Sequence, residues 1–256
     1  MAHALGLKRL DLYLQFDRPL SDAELDAIRK QVVARSEQRP VAYLVGEREF
    51  YSRPFSVDER VLVPRPETEL LVELAVARLA SQGEPVFADI GTGSGCIAVT
   101  LLCELPTAHA HGTDVSPDAL VVAAANAERH DVSARATFHQ GDLLEPLRTT
   151  AAWGRLDAVL SNPPYIVRGD ASVEQGVLAH EPGAALFVPG DDPLELARRI
   201  AVDAKEALGP DGFLALEVGH ESGAYAGAVL EELGYAEVEV VTDLGGIERV
   251  AVGVRA

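Results

Sequence analysis

Helices and buried strands alternate along most of the chain, and this alternation restricts the fold more than any other feature of the sequence. Four short apolar runs are typical of buried strands and lie at 86–90, 110–114, 136–140 and 158–161. Helical segments at 96–104 and 117–130 separate the first three runs. This order is typical of βαβ units, in which helices join parallel strands and cover the sheet.

The C-terminal third of the chain continues the pattern and then departs from it. The pattern predicts two further helices, at 194–208 and 225–233, and three further strands, at 212–218, 237–242 and 249–254. A short loop containing Gly245 and Gly246 joins the last two strands, so they form a hairpin and one of them must run antiparallel. We therefore predict an α/β fold with a doubly wound, mostly parallel seven-stranded sheet that contains one antiparallel strand.

The N-terminal region has a different character. Its first forty residues are predicted to be helical, and Ser21 with Glu24 forms a capping-box signature that opens a helix at 22–37. A short hairpin is predicted at 47–57, and Pro66 is placed at the first turn of a helix that reaches Ala80. We expect a small helical region at 1–45, followed by the main domain at 46–256.

Composition and charge disfavour several classes of protein. The formal net charge of −18 disfavours nonspecific binding to nucleic acid, which needs Lys and Arg to neutralise phosphates. No apolar run approaches the roughly 20 residues of a membrane helix, and no secretory signal is evident, which predicts a cytoplasmic protein. Cys96 and Cys103 lie about 10 Å apart on one predicted helix, so free core thiols are expected and no metal site is predicted.

A glycine-rich turn follows the first predicted strand. Residues 89–95 read DIGTGSG and open the next helix. Glycines allow a ligand to approach the backbone closely, and in open α/β sheets ligands lie outside the carboxyl ends of the strands. The turn therefore predicts a ligand site at Gly91, Thr92, Gly93, Ser94 and Gly95, the alternative being a tight strand-to-helix turn without a ligand.

Two acidic residues end the next two strands. Asp114 lies about twenty residues beyond the glycine turn, where a carboxylate accepts hydrogen bonds from both hydroxyls of a ribose. Its alternative role is that of a helix cap, because Ser116 and Pro117 follow directly. Asp142 is placed to accept from an adenine amino group while Leu143 packs on the ring; a solvated turn aspartate is the alternative for Asp142.

The sharpest motif is NPPY at 162–165, directly after the fourth strand. Its two prolines fix the backbone and remove two donors, so the motif presents acceptors in a rigid geometry. The Asn162 carboxamide oxygen and the Pro163 carbonyl can accept the N–H groups of an amine or amide and aim its nitrogen at a sulfonium methyl group. Tyr165 can stack on a planar acceptor, a role that a plain Asn-Pro turn does not explain.

The chain resembles the release-factor glutamine methyltransferase family, within the class I methyltransferases. NPPY alone does not carry this resemblance, because similar tetrads occur in enzymes that methylate adenine and guanine amino groups. The wider match extends over nearly the whole chain and includes LGLKRLDLYLQFDRPLS from Leu5, RPVAYLVGEREFY from Arg39, VLVPRPETE from Val61, DIGTGSG from Asp89, SNPPY from Ser161, HEPGAAL from His180 and DLGGIERV from Asp243.

The resemblance implies methyl transfer from S-adenosylmethionine to the side-chain amide of the glutamine in the GGQ motif of class 1 release factors. It implies that Gly91 to Gly95 line the cofactor, that Asp114 and Leu143 hold its ribose and adenine, and that Asn162 to Tyr165, including Pro164, hold the glutamine. The segment 64–69, PRPETE, is similar to the family's active-site wall. Glu181 and Pro182 are placed to close over the substrate, and a turn explains them equally.

Two departures from the family pattern stand out. The N-terminal helical region that binds the release factor is expected to be shortened, and Glu248 stands where the family more often has Asp. Two alternative functions differ in class. One is an amino-group methyltransferase acting on a nucleic-acid base, which requires a flipped or single-stranded base. The other is a catalytically silent binding protein that uses the fold as an interaction platform.

Overall fold

A computed structural model of the protein describes residues 1–171 and 173–256. The helices are α1 Arg9–Leu14, α2 Asp22–Ser36, α3 Val41–Val45, α4 Glu69–Leu79, α5 Cys96–Glu104, α6 Pro117–Arg129, α7 Gln175–His180, α8 Gly183–Leu186, α9 Glu195–Ala207 and α10 Gly223–Glu232. The strands are β1 Glu47–Phe50, β2 Arg53–Ser56, β3 Val86–Ile90, β4 His109–Asp114, β5 Ala136–Gln140, β6 Leu156–Ser161, β7 Leu208–Glu217, β8 Tyr235–Thr242 and β9 Glu248–Arg255. Short 3-10 helices lie at His3–Leu5, Pro66–Thr68, Ser133–Arg135 and Glu145–Thr149.

Within the described residues, seven strands form one sheet in the order β5-β4-β3-β6-β7-β9-β8. Strands β3 to β7 run parallel, and β9 runs antiparallel to both of its neighbours. The predicted doubly wound sheet with one antiparallel strand near its edge is confirmed. The strand order reverses between β3 and β6, and the carboxyl ends of the strands on either side of such a point form a crevice.

The core has one layer on each side of the sheet, because successive side chains of a strand point to opposite faces. Phe87 of β3 packs in the cluster that includes Leu71 of α4 and Leu101 of α5. The next residue, Ala88, packs on the other face with Ile200 of α9 and with α10. The two layers cover both faces of the sheet and leave its carboxyl edge open for a site.

The N-terminal region meets the main domain through α3. The predicted capping box is present at α2, where the Ser21 hydroxyl accepts from the Glu24 amide and the Glu24 carboxylate accepts from the Ser21 amide at 2.8 Å. Neither α1 nor α2 contains a buried residue. In α3, by contrast, Tyr43 is buried and donates its hydroxyl to the Val61 carbonyl at 2.6 Å. This bond ties α3 to the segment that leads into the site.

The helix predicted from Pro66 to Ala80 begins as a 3-10 turn. Pro66, Glu67 and Thr68 form that turn, and α4 follows without a break. Pro66 fits there because its missing N–H would be unpaired in a first turn. The tighter turn places the Thr68 side chain in the interior, where 2% of the residue is exposed.

Candidate active site

Two cavities lie side by side at the carboxyl edge of the sheet. The first, here called the glycine cavity, has a volume of about 470 Å³ and is lined by residues that include Gly91, Gly93, Asp114, Asp142 and Leu143. The second, here called the proline cavity, has a volume of about 650 Å³, and its lining includes Asn162 to Tyr165 and Gly219. The sequence placed ligand residues at several separate strand ends, and the fold brings them to these two neighbouring spaces.

Backbone conformation explains the glycines of the turn after β3. Gly91, Gly93 and Gly95 have φ angles of +70°, +54° and +77°, a region that residues with a side chain rarely adopt. A Cβ atom on Gly91 would meet nothing within 4 Å, since this position opens to the glycine cavity. A Cβ atom on Gly95 would lie 3.2 Å from Ala123 of α6. Gly91 thus faces the cavity, and Gly95 allows two helices to pack closely.

Asp89 supports the turn from its buried side, inside the core. It is fully buried, and its Oδ2 accepts from the Thr92 hydroxyl at 2.6 Å and from the Ala98 amide at 3.2 Å. Burial raises the pKa of Asp89 to about 6. Thr92 and Ser94 are themselves buried, so their side chains belong to this support and do not line the glycine cavity.

Asp114, at the end of β4, closes the opposite side of the turn. Its Oδ2 accepts from the Gly93 amide and its Oδ1 from the Ser116 amide, each at 2.9 Å. The cap of α6 is a different residue, because the Ser116 hydroxyl accepts from the Ala119 amide. Each carboxylate oxygen has two acceptor sites, so Asp114 retains one on each oxygen for a ligand in the cavity.

Asp142 and Leu143 lie together at another part of the glycine cavity. Leu143 has a φ of +47° and contacts the apolar core. Asp142 is exposed, and its Oδ2 accepts from Arg199 of α9 at 2.5 Å. The ion pair therefore occupies one carboxylate oxygen of Asp142, which was predicted to accept from an adenine amino group. No local pattern in the sequence indicated the pairing of Asp142 with Arg199.

The NPPY segment leaves the sheet directly after β6. The Ser161 hydroxyl donates to the Ile90 carbonyl at 2.7 Å and so fixes the start of the segment against the end of β3. Tyr165 packs its ring against Gly219, where an added Cβ atom would lie 2.9 Å from the ring. Burial raises the pKa of the Tyr165 hydroxyl, which keeps it protonated near neutral pH.

Asn162 and Pro164 line both cavities, together with Leu62 and Ala185. These four residues therefore form part of the wall between the glycine cavity and the proline cavity. The Asn162 amide nitrogen donates to the Thr68 hydroxyl oxygen at 3.1 Å. A group bound in one cavity can thus meet a group bound in the other beside the polar atoms of Asn162.

Several residues of the site were missed or only partly anticipated from the sequence. Glu181 is buried and accepts from the Val63 amide at 3.0 Å and from Arg65 at 2.7 Å. It therefore anchors the chain near α8 to the segment before α4, and it is more than the turn residue that the sequence allowed. Thr68 and Glu217 are likewise buried beside Asn162. Only the similarity of PRPETE to an active-site wall gave a signal for Thr68.

The described ranges 1–171 and 173–256 contain no group of three or more His, Cys, Asp or Glu side chains that could hold a metal ion. Across the same ranges, no helix is both long enough and apolar enough to span a membrane. Cys96 and Cys103 are free thiols.

Solved structures similar to this chain support the fold. The catalytic domain of hMettl16 in complex with the MAT2A 3'UTR hairpin 1 superimposes with a TM-score of 0.61 at 17% identity and covers 79% of this chain and 75% of that one. A methyltransferase from Pyrococcus furiosus gives a TM-score of 0.59 at 17% identity and covers 89% of this chain and 98% of that one. At this level of identity the similarity concerns the fold alone.

Sequence comparisons are more specific. Residues 66–181 match the family model described as methyltransferase small domain, and residues 1–46 match the PrmC N-terminal domain. A protein of Chlorobaculum tepidum named release factor glutamine methyltransferase is 44% identical over 255 residues, which cover 97% of this chain and 86% of the relative. A protein of the same name from Nitratidesulfovibrio vulgaris is 41% identical and covers 97% and 84%. With its two cavities and with relatives of this similarity along almost its whole length, the chain belongs to the release factor glutamine methyltransferase family.

Proposed function

We propose that this protein transfers a methyl group from S-adenosylmethionine to the side-chain amide nitrogen of the glutamine in the GGQ motif of class 1 release factors. One observation of the structure carries the proposal: Asn162 and Pro164 line both the glycine cavity and the proline cavity. A transfer reaction needs two reactants in contact, and this shared wall is where the occupants of the two cavities meet. Membership of the family gives the class of acceptor.

The residues of the glycine cavity fit S-adenosylmethionine. The remaining acceptor sites on the two oxygens of Asp114 match the two hydroxyls of a ribose. Leu143 offers an apolar surface to an adenine ring, and the open side of Gly91 leaves room for a chain of the ligand to pass close to the backbone. We assign Gly91, Gly93, Asp114, Asp142 and Leu143 to cofactor binding, with Asp142 accepting through the oxygen that Arg199 leaves free.

Thr92, Ser94 and Gly95 act on the cofactor indirectly in this assignment. Thr92 bonds to Asp89, the Ser94 carbonyl accepts from Asn126, and Gly95 contacts α6. These contacts keep the turn in the conformation in which Gly91 and Gly93 face the cavity. We therefore include them in the binding turn as residues that maintain its shape.

The proline cavity fits a planar amide. Because the Asn162 amide nitrogen is engaged by Thr68, its carboxamide oxygen is the atom left for a substrate N–H. We propose that this oxygen and the Pro163 carbonyl accept the two N–H groups of the glutamine, while Pro164 and Tyr165 pack against its plane. An amide nitrogen is a weak nucleophile, so its orientation by Asn162 and Pro163 is the main contribution of the protein to the rate.

S-adenosylmethionine supplies the electrophilic methyl group when it is bound. The side chains of this protein hold the acceptor nitrogen at the wall between the cavities and raise its electron density through two accepted hydrogen bonds. Among the described residues of the wall, none needs to form a covalent intermediate for this chemistry.

The N-terminal region suits recognition of a protein substrate. Tyr13 and Leu14 at the end of α1, and Phe16 in the turn that follows, are large apolar side chains that are 75%, 70% and 85% exposed. Exposed clusters of this kind are typical of protein-binding surfaces. We propose that residues 1–45 recognise the release factor and that residues 46–256 carry the chemistry.

The decisive experiment uses S-adenosylmethionine with a labelled methyl group and two purified release factors. One factor is intact, and in the other the GGQ glutamine is replaced by alanine. We expect label on the intact factor alone, at that glutamine, as located by mass spectrometry. Label on both factors would contradict the proposed acceptor, and label on RNA in a parallel reaction would support the nucleic-acid alternative.

A further inference from the structure

Glu217, the last residue of β7, has a buried carboxyl group to which the proposed chemistry assigns no role. The residue is 3% exposed, and its Oε2 has no hydrogen-bond partner among the residues that the structure describes. Burying a carboxyl with an unpaired oxygen is costly, so its place beside an active site calls for an explanation. Glu217 also lies near Asn162 in the sheet, because its neighbour Leu216 pairs with Ser161 of β6, the residue before Asn162.

Thr68 connects Glu217 to Asn162. The Glu217 carboxyl lies close enough to the Thr68 hydroxyl for hydrogen bonding from Thr68 to lower the Glu217 pKa. The Thr68 hydroxyl also accepts from the Asn162 amide nitrogen at 3.1 Å. A hydroxyl has a single proton to donate. When that proton is given to the carboxylate of Glu217, Thr68 can only accept from Asn162, and the NH₂ group of Asn162 must face Thr68.

We propose that Glu217 is a positioning residue that acts through the Thr68 hydroxyl to fix the orientation of the Asn162 carboxamide, with its oxygen toward the acceptor. A carboxamide turned by 180° would present donors to the N–H groups of the substrate and repel them. The inference rests on the proposed function, because it assigns the orientation to the same Asn162 that holds the glutamine.

The surroundings of Glu217 make the orientation depend on pH. Burial is the largest influence and raises the pKa of Glu217 to about 7, while the bond from Thr68 acts in the opposite direction. Below that pH the protonated carboxyl no longer claims the Thr68 proton, which becomes free to face a turned Asn162. The titratable and charged groups that act on Glu217, or on which it acts, are Arg65, Glu67, Arg249, Tyr165 and Cys96.

The small number of asparagines in the sequence allows the orientation of the Asn162 carboxamide to be followed directly by NMR. Asn126 and Asn162 are the two asparagines of the chain, so selective ¹⁵N labelling of asparagine yields two side-chain NH₂ groups in an NMR spectrum. An Asn162→Asp variant identifies the pair of signals that belongs to Asn162. Asn126 is an internal control, because it is buried and donates to the Ser56 and Ser94 carbonyls at 3.0 and 2.9 Å.

In the ligand-free protein we expect the Asn162 signals to shift with a midpoint of about pH 7 while those of Asn126 stay constant. This shift should disappear in Glu217→Gln and in Thr68→Val, which replaces the hydroxyl by a methyl group of similar size. Asn162 signals that do not respond to pH in the unmodified protein, or that respond equally in Thr68→Val, would overturn the inference.

Kinetics of release-factor methylation provide the second test. Thr68→Val and Glu217→Gln should each lower kcat by about tenfold to a hundredfold, a size typical of lost positioning, with KM and the dissociation constant of S-adenosylmethionine changed by less than about twofold. Thr68→Ser keeps the hydroxyl and should restore most of kcat. The double variant should lose no more than either single one, because both changes break the same connection.

The inference is overturned if Thr68→Ser is as slow as Thr68→Val, or if the two single losses add in the double variant. Failure of the unmodified protein to methylate the release factor would instead contradict the proposed function. The NMR titration distinguishes the two failures, since it needs neither substrate nor cofactor.

Discussion

At the scale of single residues, we propose that Asp114 holds the cofactor and that Asn162 orients the acceptor. Asp114 lies in the glycine cavity and is braced by the Gly93 and Ser116 amides. Asn162 lies in the wall between the two cavities and is braced by Thr68. The division predicts that binding of the cofactor and transfer of its methyl group can be lost separately.

Replacing Asn162 with alanine should lower kcat about a hundredfold and leave the dissociation constant of S-adenosylmethionine within about twofold, because the variant loses orientation of the acceptor only. Asp114→Ala should do the reverse and raise that dissociation constant about tenfold or more, since it removes charge-assisted hydrogen bonds. Calorimetry and single-turnover methylation measure the two effects. Near-normal turnover by Asn162→Ala would remove it from the proposed role, and an unchanged dissociation constant would do so for Asp114.

Glu217 should also affect the dependence of stability on pH. Its pKa is raised from 4.5 to about 7 in the folded protein, so the folded state binds this proton more tightly than the unfolded state does. The stabilisation is fully present below pH 4.5 and is lost as the pH rises through 7, by an amount of about 3 kcal/mol.

Urea unfolding of the unmodified protein and of Glu217→Gln at pH 5 and pH 8 measures this effect. The variant should gain stability relative to the unmodified protein between the two pH values, because its amide does not ionise. Asp89, whose pKa is raised to about 6, titrates in both proteins and cancels in the comparison. Parallel changes in the two proteins would show that Glu217 ionises as it does in water.

At the scale of elements, the sequence predicted the sheet well because each strand is a short, contiguous apolar run that can be recognised locally. The strands at 86–90 and 136–140 begin and end at the predicted residues. Strand β7 begins four residues earlier than the predicted 212, at Leu208, because Leu208 pairs with Leu156 before a bulge in the register. Pairing with a distant neighbour leaves no local pattern, and this boundary therefore could not be predicted.

The same reason limits prediction of the site. The glycine turn and NPPY are contiguous in sequence and could be found by inspection. Thr68 and Asn162 are 94 residues apart, and Glu181 and Val63 are 118 residues apart. The short helices α7 and α8, on either side of Glu181, were also not predicted. Contacts of this kind exist only once the sheet has brought its loops to one edge.

The turn between β3 and α5 offers a test with a matched control. Gly91→Ala and Gly46→Ala each place a side chain at a positive φ, +70° and +80°, with nothing within 4 Å. Each should destabilise the protein by a similar amount, about 1 to 2 kcal/mol. Gly91 lines the glycine cavity and Gly46 does not. Only Gly91→Ala should therefore weaken binding of S-adenosylmethionine, as measured by calorimetry; equal affinities in the two variants would place the cofactor elsewhere.

At the scale of the whole molecule, the two regions of the chain should be separable. Removing residues 1–36 takes away α1 and α2, which contain no buried residue, and keeps Tyr43 with its bond to Val61. The shortened protein should bind S-adenosylmethionine with an affinity within about twofold of the full chain, while kcat/KM for the release factor falls at least about tenfold, the equivalent of about 1.4 kcal/mol.

A short peptide that contains the GGQ sequence is the control for this truncation, because it reaches the proline cavity without the rest of the factor. The full and shortened proteins should methylate the peptide at similar rates. An equal loss with peptide and factor would mean that residues 1–36 support the chemistry itself, and no loss with either would remove them from recognition.

The net charge of −18 should make the folded protein sensitive to salt. Like charges on a compact surface repel one another, and salt shortens the reach of that repulsion to about 10 Å at 0.1 M. The melting temperature should therefore rise between 20 mM and 300 mM KCl, concentrations on either side of about 0.1 M. Sucrose of matched osmolality is the control, and a melting temperature that falls with KCl would mean that ion pairs such as Arg65 with Glu181 outweigh the repulsion.

The Asn162–Pro163 peptide bond also bears on how the protein ages. Asparagine commonly deamidates when the backbone N–H of the following residue attacks the side-chain amide and closes a succinimide ring. Proline has no such N–H, so this route is closed at Asn162. The carboxamide that we propose orients the acceptor is therefore shielded from the succinimide route to a carboxylate, which would present no donor to Thr68.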